Sequence, residues 1–375
     1  MLAERNSTLT YAIREIASKA AEAEARGKQV LKLNIGDPLK YPEDFPVPEA
    51  FVNGIKNNLH RGFYSPSEGV RELRQAISEW ETRKGAGIDP KHVFVANGVS
   101  EAVFGLFGVM LNPGDEVVIP RPVYPIYEAY ARFFGARPVF YDARNPDVEE
   151  VQKLVNARTK AIVVINPNNP LGVVHPAGFV KGLTELGPLV ISDEIYDLMT
   201  FGVKPVNAGR LADSNLVVLN GFSKVFLAPG YRLGYACFKD AGELEEGFVR
   251  YLRSRLCSNT PMQYGAVEAI REGGSWIKET NRKLETRRDA AYEGLRGLGL
   301  EVPKPEGAFY IFPGIGGDDL EFALGLIEEE GVAVVHGSGF ADPGHFRMVF
   351  LPPEEQIREA VERIGRFLER HPEHR

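Results

Sequence analysis

The sequence predicts an α/β protein, with a large sheet of mainly parallel strands flanked by helices and a smaller α+β domain beside it. Three observations lead there. Short apolar runs rich in β-branched residues recur between residues 92 and 238 without polar alternation, the pattern of strands buried on both faces. Helical segments separate several of these runs, as crossover connections require. After about residue 255 the texture changes to charged helical sequence with isolated strand candidates. A chain of 375 residues suffices for two domains or one large one, and needs no disulfide or metal to hold its core.

In chain order, residues 11–26 form an Ala/Glu/Arg-rich helix stopped by Gly27. Val30–Ile35 is a short strand ending in the turn Gly36-Asp37-Pro38. Pro38, Pro42, Pro46 and Pro48 come next and exclude regular structure there. Glu68–Thr82 is an amphipathic helix. The strand candidates of the large sheet are His92–Val95, Glu116–Ile119, Arg137–Tyr141, Lys160–Ile165, Leu189–Ser192, Leu216–Asn220 and Tyr235–Phe238, with helices at Ser100–Met110 and Ile126–Phe134. A charged helix at Trp276–Gly297, strands at Ala308–Phe312 and Val332–Val335, and a helix from Pro353 to Glu369 complete the chain. The expected division is a large domain over 48–284 and a small domain made of 1–47 and 285–375.

Composition narrows the class. The 44 Lys and Arg against 51 Asp and Glu leave a formal net charge of −7, against a general nucleic-acid binder. The longest apolar stretch, Ala102 to Leu111, falls far short of the ~20 residues that cross a bilayer. The N-terminus is charged throughout and has no apolar signal core, so a cytoplasmic location is expected. Cys237 and Cys257 cannot make a disulfide scaffold and fit small side chains in a reducing compartment. The seven histidines give no HxH or HExxH spacing, so no metal is expected. His336 and His345, which flank GSGF, are expected to be structural or to meet substrate or a hinge.

Ligands in open α/β sheets bind beyond the carboxyl ends of the strands, so the residues just after each apolar run carry the chemistry. Asn97-Gly98-Val99-Ser100 leads from one run into a helix, and Asn166-Pro167-Asn168-Asn169-Pro170-Leu171-Gly172 comes after another. Asp193 ends a third, with Tyr196 a helical turn on. Gly221-Phe222-Ser223-Lys224 comes after a fourth, with Arg232 eight residues later. Singly, each has a plain structural meaning. Gly98–Ser100 is an N-cap with Ser at the cap, Asn169-Pro170 a turn, Asp193 another cap and Lys224 a surface lysine. Yet Lys224 sits among Phe222, Val225, Phe226 and Leu227, and a desolvated lysine becomes a nucleophile able to form a Schiff base. A lysine Schiff base with pyridoxal phosphate needs an acid at the pyridine nitrogen, a group for the ring hydroxyl and a phosphate cradle. Asp193 suits the first, Tyr196 and Asn169 the second, and Gly98, Ser100 and Arg232 the third.

The run NGFSKVFLAPGYRLGY resembles the lysine signature of class I/II pyridoxal-phosphate aminotransferases. NPNNPLG, SDEIYD, NIGDP and YSPSEGVRELR are similar to other blocks of that family, in the same order, over essentially the whole chain. The resemblance implies the pyridoxal-phosphate transferase fold type I, with Lys224 as the Schiff-base and proton-shuttling residue. It implies that Asp193 pairs with the pyridine nitrogen, that Asn169 and Tyr196 contact the ring hydroxyl, and that Tyr124 stacks on the ring. Gly98, Val99, Ser100, Ser223 and Arg232 would serve the phosphate. Tyr64 would reach the phosphate of a neighbouring subunit, implying a homodimer. Arg347, in GHFRMVF, would bind the substrate α-carboxylate, with Gly36 approaching it by its backbone. Many members have a serine three residues before the lysine, where this chain has Gly221, so phosphate contact there falls to backbone or to Ser223. INPNNPLG, SDEIYDLMTFG, RLCSNTPMQ, VVHGSGF and GHFRMVFLPP look most similar to archaeal-type alanine aminotransferases, which implies amino transfer between L-alanine and 2-oxoglutarate. Aspartate or aromatic aminotransferase is the alternative. A pyridoxal-phosphate lyase or decarboxylase, and a non-catalytic regulator on the same fold, are the more remote ones. No single residue is indicated for the distal carboxylate of glutamate.

Overall fold

The computed structural model describes residues 2–375. Its strands, in chain order, are β1 Leu31–Lys32, β2 Val93–Ala96, β3 Glu116–Arg121, β4 Arg137–Asp142, β5 Thr159–Ile165, β6 Leu189–Asp193, β7 Leu216–Gly221, β8 Gly234–Lys239, β9 Tyr310–Ile311, β10 Val332–Ala333, β11 Val335–His336 and β12 Phe346–Val349. Strands β2 to β8 form one seven-stranded sheet in the order β2-β8-β7-β6-β5-β3-β4. Within it only β8 runs against its neighbours, β2 and β7. Side chains alternate between the two faces, as the strand period demands. Val117, Ile119, Val163, Ile191 and Leu219 pack with the helices Val99–Met110, Pro125–Phe133 and Glu243–Ser254. Val118, Ile162, Val164, Val190 and Val218 belong to the core on the opposite face. Both faces are dry, which is why these strands read as unbroken apolar runs.

The remaining strands are shorter than their sequence suggests, for identifiable reasons. Of Val30–Ile35 only Leu31 and Lys32 form a ladder, in parallel with β10. Beyond them the backbone leaves that ladder: the Leu33 carbonyl accepts from Val349 N–H at 2.9 Å and the Asn34 carbonyl from the Arg347 guanidinium at 2.8 Å. Val332–Val335 splits because Ala333 still pairs with β1 while Val335 pairs with Arg347 of β12. Strands β11, β12 and β9 form a three-stranded antiparallel sheet. The proline-dense stretch does hold one regular turn, a 3-10 helix over Pro38–Lys40, because the Asp37 carboxylate caps it by accepting from Leu39 N–H at 3.0 Å. The helices Glu49–Asn58 and Thr260–Glu272 begin at Pro48 and Asn259, turn residues that open helices as readily as they close them.

Behind β6, β7 and β8 lies a buried charge cluster. Lys84 comes directly after the helix Arg71–Arg83 and pairs with Asp197 at 2.5 Å and Glu81 at 2.6 Å. Glu81 accepts from the Tyr235 hydroxyl at 2.6 Å, and Asp197 accepts from the Asn220 amide at 3.0 Å. Glu194 accepts from the Ser192 hydroxyl at 2.9 Å, the Asn207 amide at 2.8 Å and the Ala208 N–H at 2.7 Å. Burial alone would lower the pKa of Lys84, but Asp197 and Glu81 outweigh it and hold the ammonium well above its ordinary value. The cluster pins residues 192–197 from behind, and that segment presents Asp193 and Tyr196 on the other side. Lys84→Met leaves Glu81 and Asp197 buried without their cation and should cost about 3–5 kcal/mol. Urea unfolding checks this, and an unchanged midpoint would refute the cluster's structural weight.

Candidate active site

A cavity of about 510 Å³ opens beyond the carboxyl ends of β5, β6 and β7. Gly36, Val99, Ser100, Tyr124, Asn169, Asp193, Tyr196, Ser223, Lys224, Arg232 and Arg347 all line it, so the sequence-predicted set converges on one space. Gly98 lies directly behind Arg232, and Tyr64 is 81% exposed and not among the residues lining the cavity.

At one end the chain makes a cradle of backbone. The helix Val99–Met110 is capped two residues earlier than expected: Gly98, at φ 88°, is the N-cap, and Ser100 lies inside the first turn. Gly98 alone tolerates that backbone, and a Cβ there would meet the Arg232 guanidinium at 2.5 Å. The first amides of this helix have no carbonyl behind them, so the site offers N–H donors, a helix dipole and Arg232 to an anion. Arg232 is held in the left-handed region at φ 53° and donates to the Pro229 carbonyl at 2.8 Å. The missing serine at Gly221 has a steric reason. Gly221 pairs across the sheet with Gly234, and a Cβ on Gly221 would meet the Gly234 Cα at 2.8 Å. Gly234 in turn backs onto Gly98 and Val99, whose amide nitrogen would lie 2.7 Å from a Gly234 Cβ.

In the middle sit the acid and the lysine. Asp193, 3% exposed, accepts from the Tyr127 hydroxyl at 2.7 Å and from Ile195 N–H at 3.2 Å, closing a turn rather than capping a helix. Burial pushes its carboxyl up to about 6, against the pull of those two donors and of Lys224. Lys224 is partly buried and its Nζ donates to the Gly36 carbonyl at 2.7 Å. The Phe309 ring centre lies 5.2 Å from that nitrogen. Desolvation brings its pKa down to about 8; Arg347 and Arg232 act in the same direction, Asp37 and Asp193 against it.

At the far end Arg347 is 1% exposed. One terminal nitrogen donates to the Asn169 side-chain oxygen at 3.1 Å and the other to the Asn34 carbonyl at 2.8 Å, while Nε has no partner among the described residues. The Tyr310 and Phe340 rings lie 4.4 and 4.7 Å from the guanidinium carbon. Tyr196 and Tyr310 share a hydroxyl contact at 2.8 Å, and Tyr124 and Tyr11 share one at 2.7 Å. Burial lifts all four of Tyr124, Tyr127, Tyr196 and Tyr310 above the usual phenol range. A Cβ on Gly36 would strike Phe309 at 2.8 Å, so backbone reaches the cavity there. His336 and His345 take structural places: His336 accepts from Gly339 N–H at 3.2 Å, and His345 stacks on Phe312 at 5.0 Å.

Tyr127, Tyr310, Tyr11, Arg14 and Asp37 also belong to the site, and sequence reasoning does not single them out. Tyr127 had a signal, since it lies three residues past Tyr124 in PRPVYPIYEAY, and helical spacing puts both on one side. Tyr310 had none, because its place depends on a two-residue strand.

The sequence pattern of the family described as aminotransferase class I and II matches residues 28–364. An alanine aminotransferase from Pyrococcus furiosus, known as a solved structure, is 40% identical and superposes with a TM-score of 0.94, covering 99% of this chain and 100% of that one. A (5-formylfuran-3-yl)methyl phosphate transaminase from Methanocaldococcus jannaschii is 36% identical over 96% of this chain and 97% of its own length. A glutamate-pyruvate aminotransferase from Haemophilus influenzae is 35% identical over 94% of each. The mixed sheet with its flanking helices is the pyridoxal-phosphate transferase fold type I. A pattern that spans most of the sequence and a fold that superposes end to end show that this chain belongs to the class I and II aminotransferases.

Proposed function

We propose that this aminotransferase exchanges the amino group of L-alanine with 2-oxoglutarate, giving pyruvate and L-glutamate in two half-reactions. The chain is a pyridoxal-phosphate enzyme by family, and its cavity fits that cofactor. A glycine-backed cradle faces Arg232, a buried acid stands beside a desolvated lysine, and a buried guanidinium leaves its Nε without a partner among the described residues. That convergence in one cavity is the observation that carries the site assignment. The alanine reading is supported by the Pyrococcus and Haemophilus relatives, which are named for alanine or for glutamate and pyruvate. Other relatives are named for aspartate, the alternative.

In the mechanism we infer, Gly98, Val99, Ser100, Ser223 and Arg232 would hold the phosphate. Asp193, fixed by Tyr127, would hold the pyridine nitrogen and keep its proton in place. Asn169 and Tyr196 would serve the ring hydroxyl, and Tyr124 would cover the ring. The bound cofactor supplies the electron sink that stabilises the carbanion formed when the substrate Cα loses its proton. Lys224 would anchor the cofactor, and its freed Nζ would take the Cα proton and deliver it to the cofactor carbon rather than back to Cα, the shift that amino transfer requires. A pKa of about 8 leaves part of the amine neutral near pH 7, the form that can act as a base. Arg347 grips the α-carboxylate with its open N–H edge, and the Gly36 backbone closes on the same group.

Residues 48–284 would carry the cofactor, with 1–47 and 285–375 as the closing unit; the 21-residue helix Ile277–Gly297 runs through that join. A second copy of the chain would bring its own Tyr64 to this phosphate. The exposed Leu59, Phe63, Tyr64 and Leu256 support such an interface. No described helix is long and apolar enough to cross a membrane, and both cysteines are free, which suits the cytoplasm.

L-Alanine added without keto acid should convert the cofactor's absorbance to that of its amino form, and L-aspartate should not. Conversion by aspartate alone would transfer the assignment to the alternative. Lys224→Ala should abolish turnover, and an active variant would sink the mechanism. Loading of pyridoxal phosphate onto the apoprotein needs neutral Lys224, so its rate should climb with pH up to about 8 and level off above. A flat rate between pH 6 and 9 would contradict the depressed lysine.

A further inference from the structure

Alanine and glutamate must use one cavity although only glutamate has a second carboxylate. Three guanidinium groups line that cavity: Arg232 at the cradle, Arg347 in the interior, and Arg14. The proposed mechanism uses the first two, for the phosphate and the α-carboxylate, and leaves Arg14 without a task.

Nothing in the local structure explains Arg14 as a folding residue. It stands in the first turn of the helix Ala12–Ala25, where a cation opposes the helix dipole. The positions one turn on are Ala17 and Ser18, so no acid pairs with it along the helix. Its neighbour Glu15 is turned to the backbone N–H of Tyr11, at 3.4 Å. The second acid lining the cavity, Asp37, is occupied in capping Leu39. Arg14 is exposed, whereas Arg347 is buried.

We propose that Arg14 is the receptor for the distal carboxylate of glutamate and 2-oxoglutarate; this rests on the transaminase function proposed for the same cavity. The difference in burial explains how one site takes both substrates. A buried arginine without its anion is costly, so Arg347 suits the α-carboxylate that every substrate carries. An exposed arginine stays hydrated when alanine is bound, and folds its fork onto the second carboxylate when a five-carbon diacid enters. Specificity toward glutamate is thus gained without a penalty against alanine.

The test uses the holoenzyme and its Arg14→Gln and Arg14→Lys variants. Each half-reaction is followed by cofactor absorbance with L-alanine and with L-glutamate, and glutarate and propionate are titrated as non-reacting acids. In Arg14→Gln the ratio of kcat/KM for glutamate to that for alanine should fall about ten- to a hundredfold, chiefly through the KM of glutamate. Arg14→Lys should recover part of the loss, since the charge remains but the fork does not. Glutarate should lose affinity by a similar factor relative to propionate. An unchanged ratio, or an equal loss on both substrates, would overturn the proposal while leaving the transaminase function intact. Wild-type enzyme converting neither amino acid would instead refute that function, and the glutarate-to-propionate comparison would then decide the role of Arg14 alone.

Discussion

The guanidinium of Arg347 is a full charge held in the interior, and much of the site is arranged around it. Three distant parts of the chain meet at this group: its own strand β12, the N-terminal segment through the Asn34 carbonyl, and Asn169 beyond β5. No carboxylate pairs with it among the described residues, and the two aromatic rings beside it offer only partial compensation. A buried cation without a counterion is a standing cost to the fold. On the proposed function the substrate supplies that counterion, so the energy of binding comes partly from relieving a cost that the protein carries between turnovers.

The other end is built differently, with backbone in place of side chains. Gly98, Gly234 and Gly221 lie against one another, so three chain segments come closer than any Cβ would permit. The cradle is consequently defined by amides whose positions no rotamer can change. Between the two ends, tyrosine hydroxyls bond in pairs, Tyr11 with Tyr124 and Tyr196 with Tyr310, and burial keeps Tyr124 and Tyr196 neutral. These phenols can therefore donate to a ligand's oxygen without adding charge to a cavity that already has several cations.

Much of this was legible in the sequence. The strands of the large sheet are buried on both faces, so their apolar runs appear at nearly the right boundaries, and the groups at their carboxyl ends do meet. What stayed hidden has a common cause. Strands β1, β9, β10 and β11 have two residues each, too few for any periodicity, and they exist because the chain passes from one partner to another. Tyr310, Tyr11 and Arg14 reach the site through these segments or the N-terminal helix, so only the folded chain assigns them. Ser100 is not the cap its side chain suggests, because the positive φ of Gly98 starts the helix earlier.

The charge cluster behind β6 has a further consequence, for calorimetry. It encloses Glu81, Glu194 and Asp197 with Lys84, more acid than base, and burial pushes Glu194 up to about 8 despite the pull of Lys84. An unfolded glutamate gives up its proton near its ordinary value of 4.5, so between there and about pH 8 the folded chain holds a proton that the unfolded chain has released. Folding in that window takes up a proton, and this group's contribution to stability declines as pH rises through it. The proton must come from the buffer. The heat measured on unfolding will therefore contain the buffer's own ionisation enthalpy, and will differ between phosphate and an amine buffer at one pH and one melting temperature.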